Sequence, residues 1–237
     1  MHPLTTSTEA AAGEEADMSD GRRPKTDQVH LFVDLANVWC GAKDAAANHR
    51  EPRHLLRLSA EGLFRAMAAG RTVASATLVA NAEVPEPALC HFRRFFRVEQ
   101  VEVGRWSGSE QAADETLQNR LLFTALRPAT VGTIVLATGD GAGWRVGLGF
   151  CPALIVARRC GLGIEVLAFP SSLNPSLKRL ADATGVVVDL DRQYHAITFI
   201  EAGRPIGSPQ PRAMSAAHAW TSAEQAQVSA VAGARAA

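Results

Sequence analysis

The run Val29-His30-Leu31-Phe32-Val33-Asp34, continued by Leu35-Ala36-Asn37, decides how the chain is read. It is a strand-length, nearly continuous apolar segment that ends on an acid. Such runs suit strands covered on both faces of a parallel sheet, since both sides of the strand must then be apolar. In an open parallel sheet, ligands bind beyond the carboxyl ends of the strands. The residues that end each run are therefore the ones to follow.

Five further runs share this character: VASATLVA (73–80), VEQVEV (98–103), TIVLAT (133–138), GIEVLAF (163–169) and a short VVVDL (186–190). VEQVEV alternates instead of staying apolar, which suits an edge strand. Helical spacing fills the gaps. Residues 53–69 carry Leu55, Leu56, Leu63, Phe64 and Met67, and residues 86–97 open with Pro87 and carry Leu89, Phe92 and Phe96. Residues 112–126 place Leu117, Leu121 and Ala125 on one stripe. Residues 151–160 have Pro152 in the first turn and Gly161 just past the end, and residues 174–183 open on Asn-Pro. Strand–helix alternation of this kind gives right-handed βαβ units. The expected fold is α/β: a three-layer sandwich around a parallel sheet of about five strands, order 3-2-1-4-5, with helices on both faces.

The 237 residues, 47% apolar, suffice for one domain with tails and exclude wholesale disorder. Residues 1–27 hold six acids and three bases with no apolar period, and read as a disordered leader, with Met18 an alternative start. The domain is expected over 28–202 and a disordered tail over 203–237, which carries Pro205, Pro209 and Pro211. No run approaches the ~18 apolar residues of a membrane span, and the N-terminus has no signal-peptide pattern. Cys40, Cys90, Cys151 and Cys160 form no CxxC pair, as expected of reduced thiols in a cytoplasmic protein. The 24 basic and 24 acidic residues balance, so bulk positive potential does not drive nucleic-acid binding.

Asp34 and Asp140 both follow buried-strand candidates, and Asn37 lies three residues beyond Asp34. Asp114 shares the inward stripe of the helix over 112–126, at its N-terminal end. A βα connection from 98–103 would bring it to the same sheet edge. Each acid has a structural alternative: Asp34 and Asp140 as turn formers, Asp114 as a first-turn acid complementing the helix dipole. Converging carboxylates repel unless a cation lies between them. An oxygen-only cluster suits Mg²⁺ or Mn²⁺, and such an ion supports phosphodiester hydrolysis.

FVDLANVWCG, AADETLQNRLL, IVLATGDGAGW and GIEVLAFPSSLNPSLKRLAD together resemble the NYN domain, a branch of the PIN-like nuclease fold, over about residues 29–190. The resemblance implies a Rossmann-like parallel sheet, clustered acids around Mg²⁺ or Mn²⁺, and ribonuclease activity. By position it matches Asp34 and Asn37 to the first motif, Asp114 to the acidic helix start and Asp140 to the GD motif, with Glu115 as an auxiliary metal ligand. Thr138, Ser171 and Ser172 fall where the family places small hydroxyl residues. Many members carry another acid two residues after the GD aspartate, where this chain has Ala142. That departure favours one metal over two, and opens a competing reading as a catalytically weak module that binds RNA or protein.

Other signals are weaker. Gly141–Gly147 matches a GxGxxxG pattern, yet Asp140 stands where a pyrophosphate would approach, so a dinucleotide site is disfavoured. Arg105 and Trp106, just before Asp114, are candidates for gripping RNA phosphate and stacking a base, and Arg145 for a further phosphate contact. Thr138 and Ser172 complete the expected substrate contacts. RNA is the expected partner, with a second protein for targeting and no membrane. His30 and His54 lack partners at ligand spacing, which disfavours zinc.

Overall fold

A computed structural model describes residues 27–102, 111–139 and 149–201. Among them, six parallel strands form the main sheet: β1 (Gln28–Asp34), β3 (Thr72–Asn81), β4 (Arg97–Val101), β5 (Thr133–Ala137), β6 (Gly163–Ala168) and β7 (Val186–Asp189). Their spatial order is β4-β3-β1-β5-β6-β7, so the expected five-strand order gains a sixth member at one edge. The alternating segment around VEQVEV, now β4, is the opposite edge. A second sheet pairs β2 (Leu56–Leu58) antiparallel with β8 (Thr198–Ile200).

The helices are α1 (Leu35–Ala45), α2 (Ala60–Ala68), α3 (Glu86–Phe92), α4 (Gln111–Leu126), α5 (Phe150–Arg159), α6 (Pro175–Thr184) and a short α7 (Tyr194–Ile197). Three differ from expectation for clear reasons; one is α3, expected over 86–97, which stops at Phe92 because the chain must turn before Arg97 enters β4. The helix expected over 53–69 starts only at Ala60, where the Ser59 hydroxyl accepts the Gly62 N–H. Ahead of it, Leu56 and Leu58 are buried and Arg57 between them is not, because that segment pairs with a strand some 140 residues away. The third difference is α1, which the apolar spacing does not announce. Its inward stripe is Leu35, Val38, Ala42 and Ala45, and the two alanines carry little hydrophobic signal.

Alternation along β1 sends Val29, Leu31 and Val33 to one face and Phe32 to the other. The first face packs against α1, α2, α3 and α7, the second against α4, α5 and α6. Each fully buried Leu or Phe in these layers contributes about 1.5–3 kcal/mol. Gly41 lets α1 lie close on the sheet, since a Cβ there would stand 2.6 Å from Phe169 Cδ2. The aromatic residues Phe92 and Phe96 are buried, as expected for core positions. No helix among the described residues is long and apolar enough to cross a membrane. Apart from Asp27, the expected leader and the tail over 203–237 lie outside the described residues.

Candidate functional site

After β1 the chain builds outward through β3 and β4, then returns to place β5 on the other side of β1. Strand order therefore reverses between β1 and β5, and the crevice at their carboxyl ends is where open α/β sheets take ligands. Asp34 sits there, ending β1 and capping α1, and is 7% exposed. Its Oδ1 accepts the Asn37 backbone N–H at 3.1 Å, the usual N-cap bond. Its Oδ2 accepts the Thr138 hydroxyl at 3.1 Å from just past β5. Thr138 is fully buried, so this bond forms away from water. These two bonds orient the carboxylate from both sides.

A second link runs alongside. Asn37 Oδ1 accepts the Gly139 N–H at 2.5 Å, tying the first turn of α1 to the turn after β5. The amide nitrogen of Asn37 is then the end able to meet a ligand. Gly139 is held from the other side, because a Cβ there would lie 2.6 Å from both Ser172 O and Ser172 Oγ. Gly139 O also accepts the Asn174 N–H at 2.8 Å. Ser172 donates its hydroxyl to Phe169 O at 3.2 Å, so it buttresses the Gly139 turn.

On the α4 side of Asp34 lies a small open cleft. Its walls are Ala36, Val79 and Ala113, and its polar groups are Asp34, Asn81 and Glu102. Asn81 and Glu102 were not among the expected site residues. Asn81 could have been found by the rule that singled out Asp34, since it is the polar residue closing the apolar run over 73–80. Glu102 could not, because it lies inside the run expected over 98–103, and only the end of β4 at Val101 puts it at a strand terminus. Asn81 Oδ1 also accepts the Glu83 N–H at 2.9 Å, which fixes the side chain at the strand end.

Asp114 follows the pocket residue Ala113 in the first turn of α4, half-buried, so α4 brings its acidic start to this edge. Glu115, one residue on, is exposed. Asp140, Arg105, Trp106, Arg145 and Ala142 lie outside the described residues. Among the described residues, no three His, Cys, Asp or Glu side chains stand close enough to hold an ion together. Those facing the pocket nevertheless offer only oxygen ligands of the charged and amide type, a donor set that fits Mg²⁺ or Mn²⁺ better than zinc or copper.

No family model matches the chain, and no curated protein matches it. Among solved structures, it is similar to a protein of unknown function from Vibrio parahaemolyticus. The two are 18% identical, with a TM-score of 0.53 over 74% of this chain and 98% of the other. At that identity the likeness speaks for the fold alone, an α/β three-layer sandwich around a parallel sheet.

Proposed function

We propose that the protein is a divalent-metal-dependent ribonuclease of the NYN type, hydrolysing RNA phosphodiester bonds in the cytoplasm. The observation that carries this reading is Asp34: a buried carboxylate at the strand-order reversal, oriented by Asn37 and Thr138, beside a pocket with oxygen ligands. A carboxylate is desolvated at such a place only at a cost, which a cation offsets. Asp34, Asp114 and Asp140 would hold Mg²⁺ or Mn²⁺. When bound, such an ion lowers the pKa of a water and stabilises charge in an in-line displacement at phosphorus.

The chain's own groups supply the rest. Thr138 and the α1 N-terminus hold Asp34 in one orientation. The Asn37 amide nitrogen offers a donor to a water or phosphate oxygen, and Glu102 and Asn81 add oxygens on the β3–β4 side. Arg105, Trp106 and Arg145 would grip the RNA. Glu115, exposed, has the least claim as a ligand.

The test is cleavage of labelled single-stranded RNA by the full chain with Mn²⁺, with and without EDTA. Asp34→Asn and Asp140→Asn should each lower the rate by 10²-fold or more, on the order expected for loss of a group stabilising the transition state. Asn caps helices as well as Asp does, so Asp34→Asn keeps the α1 cap, and the urea midpoint of each variant separates lost chemistry from lost stability. Unchanged cleavage by both variants would remove the nuclease reading. Ala142 favours the second reading, and RNA binding that persists without cleavage under Mn²⁺ would select it.

A further inference from the structure

Helix α4 presents two contrasting stripes. Ala113, Leu117, Leu121 and Ala125 are buried against the sheet. On the outward side Glu115, Asn119, Phe123 and Leu126 are exposed, and their spacing lines them up along one face. Phe123 is 70% exposed, Leu126 61%, and Val131, just beyond the helix end, 48%. Single exposed apolar residues are ordinary, but several clustered on one face and rimmed by charge mark an interaction surface.

The charges on this stripe identify the occupant. Glu115 stands at its N-terminal end and Arg127 just past its C-terminal end, both exposed, and neither makes an ion pair among the described residues. Arg120, by contrast, is engaged with Glu99. The two ends of this helix thus carry opposite charges, which match when a second copy is laid on it in reverse.

We propose that this face joins two copies of the chain, with α4 packed antiparallel on its symmetry mate. A two-fold contact is isologous, so every pairing occurs twice. An axis passing beside Leu121 sets Glu115, six residues before it, opposite Arg127 of the mate, six residues after it. The same axis sets Phe123 opposite Asn119 of the mate, so the two phenyl rings flank the centre. A parallel arrangement would oppose like charges and is disfavoured. The 16-residue helix is about 24 Å long. One helix face buries less than the ~800 Å² per partner of a standard interface, so the dimer is weak and concentration-dependent. This inference does not depend on the nuclease reading.

Sedimentation velocity on the full chain from about 1 µM to about 1 mM tests it, the range in which weak dimers form. A reversible monomer–dimer equilibrium is expected, abolished in the Phe123→Glu/Leu126→Glu variant. Glu115→Arg or Arg127→Glu alone should weaken the dimer about tenfold, since two symmetric ion pairs become repulsions. Combining both reversals should restore it. The reversals touch no core residue, so they decide the matter even if the doubly acidic variant does not fold. A monomer at every concentration overturns the proposal, including one that dimerises only after removal of residues 203–237. So does a dimer that survives Phe123→Glu/Leu126→Glu, or a double reversal that fails to recover.

Discussion

Thr138 donates its hydroxyl to Asp34 Oδ2 at 3.1 Å, a bond between residues 104 apart in the chain. It fastens the end of β5 to the end of β1 across the point where strand order reverses, and fixes a carboxylate that also caps α1. Fold and candidate site therefore share atoms. Changes at either residue should register in stability as well as in chemistry.

Replacing Thr138 by Val keeps the shape and removes the donor. The Asp34 oxygen then loses a buried partner, which should lower unfolding free energy by about 1–3 kcal/mol in urea titration. Thr138→Ser should recover most of it. Equal stability of the Val variant and the parent would show that the bond contributes nothing net.

Asn37 should behave as a positioning residue through its oxygen and as a ligand contact through its nitrogen. Asn37→Asp keeps an acceptor for the Gly139 N–H, whereas Asn37→Ala leaves that N–H without its side-chain partner. The Ala variant should lose about 1 kcal/mol more stability than the Asp variant. The Asp variant, with a second carboxylate beside Asp34, should bind Mn²⁺ more tightly in calorimetry than Asn37→Ala does. The reverse order in both measurements would refute this division of roles.

Arg71 and Glu165 form a two-pronged ion pair at 2.7 and 2.8 Å, with Glu165 buried in β6. Arg71 also donates to the Met67 and Ala68 carbonyls at the end of α2. Glu165→Ala removes the carboxylate that neutralises this partly buried guanidinium and should cost about 3–5 kcal/mol. Glu165→Leu combined with Arg71→Met should cost less than the single change, because no charge is left behind. A double variant as unstable as Glu165→Ala would contradict this account.

His30 makes stability depend on pH. Burial is the main cause that pushes its pKa below the ordinary 6.5, the Arg127 charge adds to it, and the bond to Val131 opposes it. In the neutral ring, Nε2–H donates to Val131 O at 3.2 Å and Nδ1 accepts the Ser75 hydroxyl at 2.9 Å. Because the folded pKa is depressed, the unfolded chain takes up the proton first as pH falls. Stability contributed by neutral His30 is full above about 6.5 and is lost as pH drops through the folded pKa. The urea midpoint should therefore decline from pH 7 toward acid more steeply in the parent than in His30→Gln. Parallel declines would assign the acid sensitivity elsewhere.

Much of this architecture was legible in the chain itself. Apolar runs and helical stripes are local signals, fixed by a strand period of two and a helix period of 3.6. They suffice for the six sheet strands, for α4, α5 and α6, and for the edge position of β4. The rule that ligands gather at strand carboxyl ends singles out Asp34, and applied to β3 it singles out Asn81 as well, whereas Glu102 lies inside the alternating run over 98–103 and reaches a strand end only because β4 stops at Val101. The helix α1 escaped because alanines fill much of its buried stripe.

What the amino-acid order settled alone is which segments are strands and helices and which acids close the strands, since neighbouring residues determine both. The pairing of β2 with β8, the Thr138–Asp34 bond, the Asn37 hold on Gly139 and the exposure of Phe123 and Leu126 on α4 emerged only on folding. Each of these joins or exposes groups according to how distant segments pack. No pattern within one segment records its neighbour, so packing of the whole sheet and its two helical layers made those choices.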